Sequence, residues 1–236
     1  MKNTKFVISF VTNLVLAAAI LVMCAFTFIA PSSSLAANNV INGCVYAGNT
    51  DSSKVSFMIN VYWGTEYIEP ILKILEDKNV KCTFFVGGTW VKDYPDILKK
   101  IYDAGHEVAS HGYSHKEHEK LSLEQNLTEM QKTHKLVEDA IGYKMTLFAP
   151  PGGSYSKLTV QAAESMGYTT IMWTRDTIDW RDQDANIIYS RAIKEIKGGD
   201  LVLMHPKEKT VEALPKIIDY ALAKGLKVTT VSDTIS

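Results

Sequence analysis

The sequence predicts an α/β fold: a distorted or incomplete (β/α) barrel of about seven parallel strands, preceded by an N-terminal transmembrane or signal helix. Three observations carry the barrel. From Val55 onward short apolar runs alternate with longer stretches of helical periodicity. A glycine lies just past most of the helical stretches and shortly before the next strand. Polar residues of unusual chemistry gather where strands end and loops begin. A doubly wound sheet is the main rival, because strand order cannot be read here, but no phosphate-cradling glycine loop follows the first strand.

The first element stands outside the barrel. Lys2 and Lys5 precede an apolar run from Phe6 to Ala30, and about 20 apolar residues cross a bilayer as a helix. Basic residues before such a run hold the N-terminus in the cytoplasm and put the rest of the chain outside. Ser34-Leu35-Ala36 also resembles a signal-peptidase site. Residues 1–30 therefore read as a signal peptide or membrane anchor, and the run exceeds the ~7–15 apolar residues of a usual signal core. Cys24 follows Met23, which is too bulky for a lipoprotein cleavage site. Residues 31–54 read as a polar linker and N-terminal segment, and 55–236 as the folded domain.

Within that domain the candidate strands fall at 55–61, 82–86, 107–110, 145–149, 169–173, 201–204 and 227–230. Amphipathic stretches lie between them at 66–78, 94–104, 122–141, 156–166, 185–197 and 211–224. In the first, Ile68, Ile71, Leu72 and Leu75 share one helical face. Ser122 with Gln125 makes a capping-box start for the third. Gly105, Gly142, Gly167, Gly199 and Gly225 suit the left-handed turn that ends a helix, and Asn79 serves the same purpose in the first unit.

Composition narrows the function classes. The chain has 25 Lys+Arg against 26 Asp+Glu, a formal net charge of -1, which argues against a nucleic-acid binder relying on bulk positive charge. A monomer is expected. Three cysteines match no zinc pattern; Cys44 and Cys82 either pair outside the cell or stay as free buried thiols.

Five loops converge on one face of the expected barrel. Asn60 closes the first strand, His111 and His115 follow the third, and Ala149-Pro150-Pro151-Gly152-Gly153 follows the fourth. Asp176 and Asp179-Trp180 follow the fifth, and His205 ends the sixth. Two imidazoles four apart would share one side of a helical turn and suit zinc or a similar metal, though the stretch around them also reads as a solvated loop. His205 at a strand mouth suits a general acid if Asp176 or Asp179 fixes its tautomer, or else a core histidine bonded to a carbonyl. Trp63, Trp90, Trp173 and Trp180 divide between packing and surface, and Trp180 is the one expected in a groove, where flat rings stack on sugar faces.

Taken together these motifs resemble the polysaccharide deacetylase family, which carries the chitooligosaccharide-deacetylase homology domain. Lys81-Cys-Thr-Phe-Phe-Val-Gly87 looks like its second strand, and Gly105-His-Glu-Val-Ala-Ser-His111-Gly-Tyr-Ser-His115 like its metal-histidine motif. Asp176-Thr-Ile-Asp179-Trp180 looks like its Asp-Trp loop, and Leu203-Met-His205 like the motif with its catalytic histidine. The resemblance implies a distorted (β/α) barrel that removes acetyl groups from chitin-like polymers, peptidoglycan or xylan. It implies a divalent metal, zinc or cobalt, held by one Asp and two His, with a second Asp as base and an Arg that orients it.

The first motif departs from that pattern. Asn60 stands where the base belongs, Val61 where the metal carboxylate belongs, and Ala149 where the orienting arginine belongs. An amide cannot take up a proton at neutral pH, and general-base help is typically worth ~10²–10⁴ in rate. Valine cannot ligate a metal, and catalytic zinc usually has three protein ligands. Glu66 is the candidate replacement, with Tyr62 and His118 behind it, although Glu66 also reads as a first-turn helix acid.

His205, Asp176 and the substituted Asn60 are then the candidate catalytic positions; Trp180, Asp179, Pro151 and Tyr62 the candidate substrate-binding residues; and His111 and His115 the candidate metal ligands, with Glu66 the candidate for a third. Two functions fit. One is an extracytoplasmic, anchored or secreted deacetylase of cell-wall glycan with a rearranged metal centre. The other is an inactive family member that keeps the groove and binds cell-wall glycan.

Overall fold

A computed structural model describes residues 40–236; the apolar run and most of the linker lie outside the described residues. Among the described residues no helix is long and apolar enough to cross a membrane.

The strands are β1 (Val40–Ile41), β2 (Cys44–Val45), β3 (Lys54–Val61), β4 (Thr83–Val86), β5 (Glu107–Ser110), β6 (Leu147–Phe148), β7 (Thr169–Ile171), β8 (Arg175–Asp176), β9 (Leu201–Met204) and β10 (Lys227–Thr229). They form one sheet in the order β1-β2-β7-β6-β5-β4-β3-β9-β8, parallel except for the β1–β2 hairpin. Ser56 pairs with both Leu201 of β9 and Thr229 of β10, so β10 lies on the β4 side of β3 and fills the sheet beneath β4. This is the incomplete parallel barrel, with β1 and β8 as its free edges.

The helices are α1 (Ile68–Asp77), α2 (Gly88–Asp93), α3 (Pro95–Asp103), α4 (Leu123–Ile141), α5 (Lys157–Ser165), α6 (Ala185–Ile193), α7 (Glu208–Ala223) and α8 (Val231–Ile235). Ser122 and Gln125 exchange the two bonds of a capping box at the start of α4. The five glycines expected past helix ends, and Asn79, all have positive φ. Several boundaries differ from expectation, most of all between β6 and β8. The fourth expected strand shrinks to Leu147–Phe148, the fifth stops at Ile171, and residues 175–176 return to the sheet as β8. Part of the expected N-terminal segment also joins the sheet, where Cys44 and Val45 are buried beside β7.

Strand parity sets the site. Val55, Phe57, Ile59 and Val61 of β3 pack outward with Ile68, Ile71 and Leu75 of α1 in the core between sheet and helices. Met58 points the other way, into the barrel with Phe85, Ala109 and Leu203. Asn60 shares that inner parity at the C-terminal end of β3, where the barrel opens. Cys44 and Cys82 are free, buried thiols.

His106, buried against Phe84, accepts the Cys82 N–H at Nδ1 over 3.4 Å. Burial, helped by nearby Lys81, pushes its pKa down to about 4 from an ordinary 6.5. The unfolded chain binds this proton first, so the contribution of His106 to stability is complete above pH 6.5 and is lost as the pH falls toward 4. Urea midpoints measured between about pH 7 and 4.5 should fall less steeply in His106→Gln than in the parent. Equal slopes would remove His106 as an acid-sensitive group.

Candidate functional site

The C-terminal ends of β3, β5, β8 and β9 surround a cleft of about 560 Å³. Asn60, Tyr62 and Trp63 come from the end of β3, and His111 and His115 from the loop after β5. Trp173, Asp176 and Trp180 form the opposite wall, and His205, Pro206 and Lys207 follow β9.

His111 and His115 meet, but not on a helical turn. Their rings lie 5.3 Å apart, edge to face, because the intervening loop bends through two left-handed residues, Gly112 at φ 72° and His115 at φ 53°. Gly112 has a second constraint: a Cβ there would lie 2.9 Å from His118 Nε2. Glu129 of α4 holds the loop from beneath. Its buried carboxylate accepts the N–H groups of Tyr113 (3.0 Å) and Ser114 (2.7 Å) and the Ser114 hydroxyl (2.8 Å), and Lys116 lies 3.1 Å away. Burial works to raise this carboxyl's pKa, but the bonds from Ser114 and Lys116 outweigh it and hold the group below its ordinary value. The buried face of α4 gave no hint of this role, since a glutamate there scans as surface.

His111 is buried, with Nδ1 2.8 Å from the Ala149 carbonyl. Burial, then the neighbouring His115, push its pKa down to about 3, so the ring is neutral at physiological pH. His115 is lowered too, by burial first, and its ring lies 4.8 Å from Tyr62 and 4.9 Å from Trp63.

Of the two candidate carboxylates, Asp179 is the one on His205. Asp179 is 1% exposed and accepts three bonds: His205 Nδ1 (2.7 Å), the His205 N–H (2.6 Å) and the Thr210 hydroxyl (2.6 Å). Fully engaged and buried, it is not among the residues that line the cleft. Asp176 instead lines the cleft and accepts the Ile178 N–H at 2.8 Å. Pro151 is buried under the loop, 3.5 Å from where a Gly112 Cβ would stand, and its neighbour Gly152 reaches the cleft instead. Tyr62 and Trp180 line it as expected, joined by Trp63 and Trp173. Trp63 is 65% and Trp180 56% exposed, unusual for side chains this large and apolar.

The donor set does not fit the three-ligand metal centre. Among the described residues no three of His, Cys, Asp and Glu come together as a metal site. Val61 is buried in the outer core, and Asn60 offers an amide. Glu66 turns back on its own loop, accepting the Thr65 N–H at 2.8 Å. Those backbone bonds, its own N–H first, with Lys207 nearby, hold its carboxyl below the ordinary value, and it stands exposed in that loop, outside the residues that line the cleft. His118 is buried and bonded through Nδ1 to Asn126 Oδ1 at 2.7 Å.

Comparison with known proteins agrees with this architecture. The family model described as polysaccharide deacetylase matches residues 47–171. The chain is 39% identical over 189 residues to the uncharacterized protein YlxY of Bacillus subtilis, covering 80% of this chain and 59% of that one. It is 34% identical over 164 residues to the peptidoglycan-N-acetylglucosamine deacetylase PgdA of Listeria monocytogenes, covering 69% and 34%. The chain therefore spans less than two thirds of either relative. Among solved structures, wild-type BA3943 of Bacillus anthracis, described as a CE4 family pseudoenzyme, superposes with a TM-score of 0.81 at 38% identity, covering 84% of this chain and 70% of that one. A BA3943 mutant with the same TM-score, 36% identical and covering 84% and 72%, is described as having restored enzymatic activity. On motifs, fold and similarity, the chain belongs to the polysaccharide deacetylase family.

Proposed function

We propose that this protein acts outside the cytoplasm, anchored or released through residues 1–30, as a monomeric cell-wall glycan-binding member of its family that does not remove acetyl groups. The observation that carries this reading is the cleft floor: two histidines that no third ligand joins among the described residues, and Asn60 in place of a base. Neither water activation by a metal nor proton abstraction by a carboxylate is available from that set. Exposed Trp63 and Trp180 beside Tyr62 keep what a sugar-binding groove needs, flat apolar faces with polar groups between them. Peptidoglycan deacetylases among its relatives support cell-wall glycan as the partner.

One observation favours the second reading, a working hydrolase with a rearranged centre. The Asp179–His205 pair is built as a proton donor would be, and a binder has little use for one. Incubation with N-acetylglucosamine oligomers and zinc or cobalt decides between them. The proposal expects acetate at the level of a protein-free blank, with oligomer binding detected by tryptophan fluorescence. Trp180→Ala should weaken that binding about twofold to tenfold, the range of one aromatic contact. Acetate above the blank would establish the hydrolase.

A further inference from the structure

Trp63 is a large apolar side chain held almost in the open, at the wall of the cleft that faces Trp180. Its indole has two ring contacts: Tyr62, edge-on at 4.7 Å, and His115, tilted at 4.9 Å. Tyr62 has a support of its own, since its ring lies so close over Gly87 that a Cβ there would collide with it. The chain after Trp63 is pinned as well, where the Gly64 carbonyl accepts the Trp90 indole N–H at 2.8 Å. The remaining support for the Trp63 ring is His115, which is itself fixed from two directions. Its ring meets that of His111 edge to face at 5.3 Å, and His111 is buried and tied through Nδ1 to the Ala149 carbonyl. Its backbone follows Ser114, whose N–H and hydroxyl are both accepted by Glu129. His115 stands at φ 53°, a conformation that a non-glycine keeps only where its surroundings over-determine it.

Aromatic rings prefer such edge-on and tilted arrangements, with centroids about 4.5–7 Å apart. An indole that is already ordered spares the entropy of fixing it when a sugar face arrives. We infer that His115 is a positioning residue of the glycan site: its ring face, rather than a bond to metal, orders Trp63 as one aromatic wall of the cleft. This rests on the glycan-binding reading and deepens it. It gives one of the two histidines a use in a cleft where no third ligand joins them among the described residues, and it makes glycan binding independent of metal.

The test titrates the full-length chain by calorimetry with a β-1,4-linked N-acetylglucosamine tetramer, with thermal unfolding to confirm that each variant is folded. EDTA should leave the parent's affinity unchanged. His115→Ala should weaken binding about threefold to tenfold, and His115→Phe, which restores a ring, should recover most of that loss. Both substitutions meet the same backbone conformation at φ 53°, so their difference reads the ring. If His115→Ala does not fold, His115→Leu takes its place, keeping bulk without a ring. Trp63→Ala should weaken binding by a similar factor, and adding His115→Ala to it should weaken binding no further, as expected when one residue acts through the other. Binding by His115→Phe as weak as that of His115→Ala would assign the effect to an imidazole nitrogen and overturn the inference. Additive losses in the double variant, an unchanged affinity in His115→Ala, or parent binding that EDTA abolishes would each overturn it too, and all three leave glycan binding intact. Failure of the parent to bind the tetramer overturns the glycan-binding reading itself, and this inference with it.

Discussion

A chain carrying Asn60→Asp and Val61→Asp together should release acetate from an N-acetylglucosamine oligomer when zinc or cobalt is supplied. The rate should stand at least about 10²-fold above the parent's, the lower end of what a general base contributes. Asn60 sits on the inner face of β3 and lines the cleft, so an aspartate there supplies the proton acceptor that the amide cannot be. Val61 differs, because its side chain is fully buried in the outer core. An aspartate at that position is a buried, unpaired charge on the face away from His111 and His115 until the end of β3 turns it into the cleft, where a cation takes it. Without metal the double variant should therefore melt below the parent, and zinc should restore its stability, as a ligand bound only by the folded form does. Asn60→Asp alone should gain no metal-dependent stability, and Val61→Asp alone should gain metal response without rate. A thermal-shift series and an acetate assay read both effects. A double variant indifferent to zinc and silent toward the oligomer would mean that the cleft is blocked by something other than these two residues.

Much of the barrel was legible because local rules and the fold agree. The helix period in α1, the capping box of Ser122 and Gln125, and the glycines past the helices each depend on a few neighbouring residues. Strand order was not, since pairings such as Ser56 with Leu201 and Thr229 join distant parts of the chain. The altered first motif was readable directly, and Asn60 lies in the cleft. Two alternatives stayed open in the sequence for one physical reason: spacing does not reveal how a loop turns. Asp176 and Asp179 are equally placed to reach His205 on paper, but the loop passes through Ile178 at φ 54° and carries Asp179 inward while Asp176 stays at the wall. Glu66 follows Asn60 closely, yet its carboxylate meets the Thr65 N–H and the residue is not among those that line the cleft. The two histidines meet through left-handed residues that no periodicity forecasts, above all His115, a non-glycine at φ 53°.

Asp179→Ala should be the most damaging single change at the cleft, costing about 3–5 kcal/mol of stability, as loss of one partner from a buried charged network does. Its two oxygens accept from the His205 backbone, the His205 ring and the Thr210 hydroxyl, so one carboxylate ties the loop after β8 to the end of β9 and the first turn of α7. Alanine leaves those three donors facing a void. Asp179→Asn keeps the shape but turns an N–H₂ toward a donor, and its cost should fall between those of alanine and the parent. The same variant should shift His205 away from the Nδ1–H tautomer, which nitrogen chemical shifts of the ring report directly. Asp176→Ala, by contrast, gives up one backbone contact on a half-buried side chain and should cost about 0.5–1.5 kcal/mol. Urea unfolding of the three variants separates these expectations. If Asp176→Ala proved as costly as Asp179→Ala, Asp179 would not be the sole buried anchor of His205.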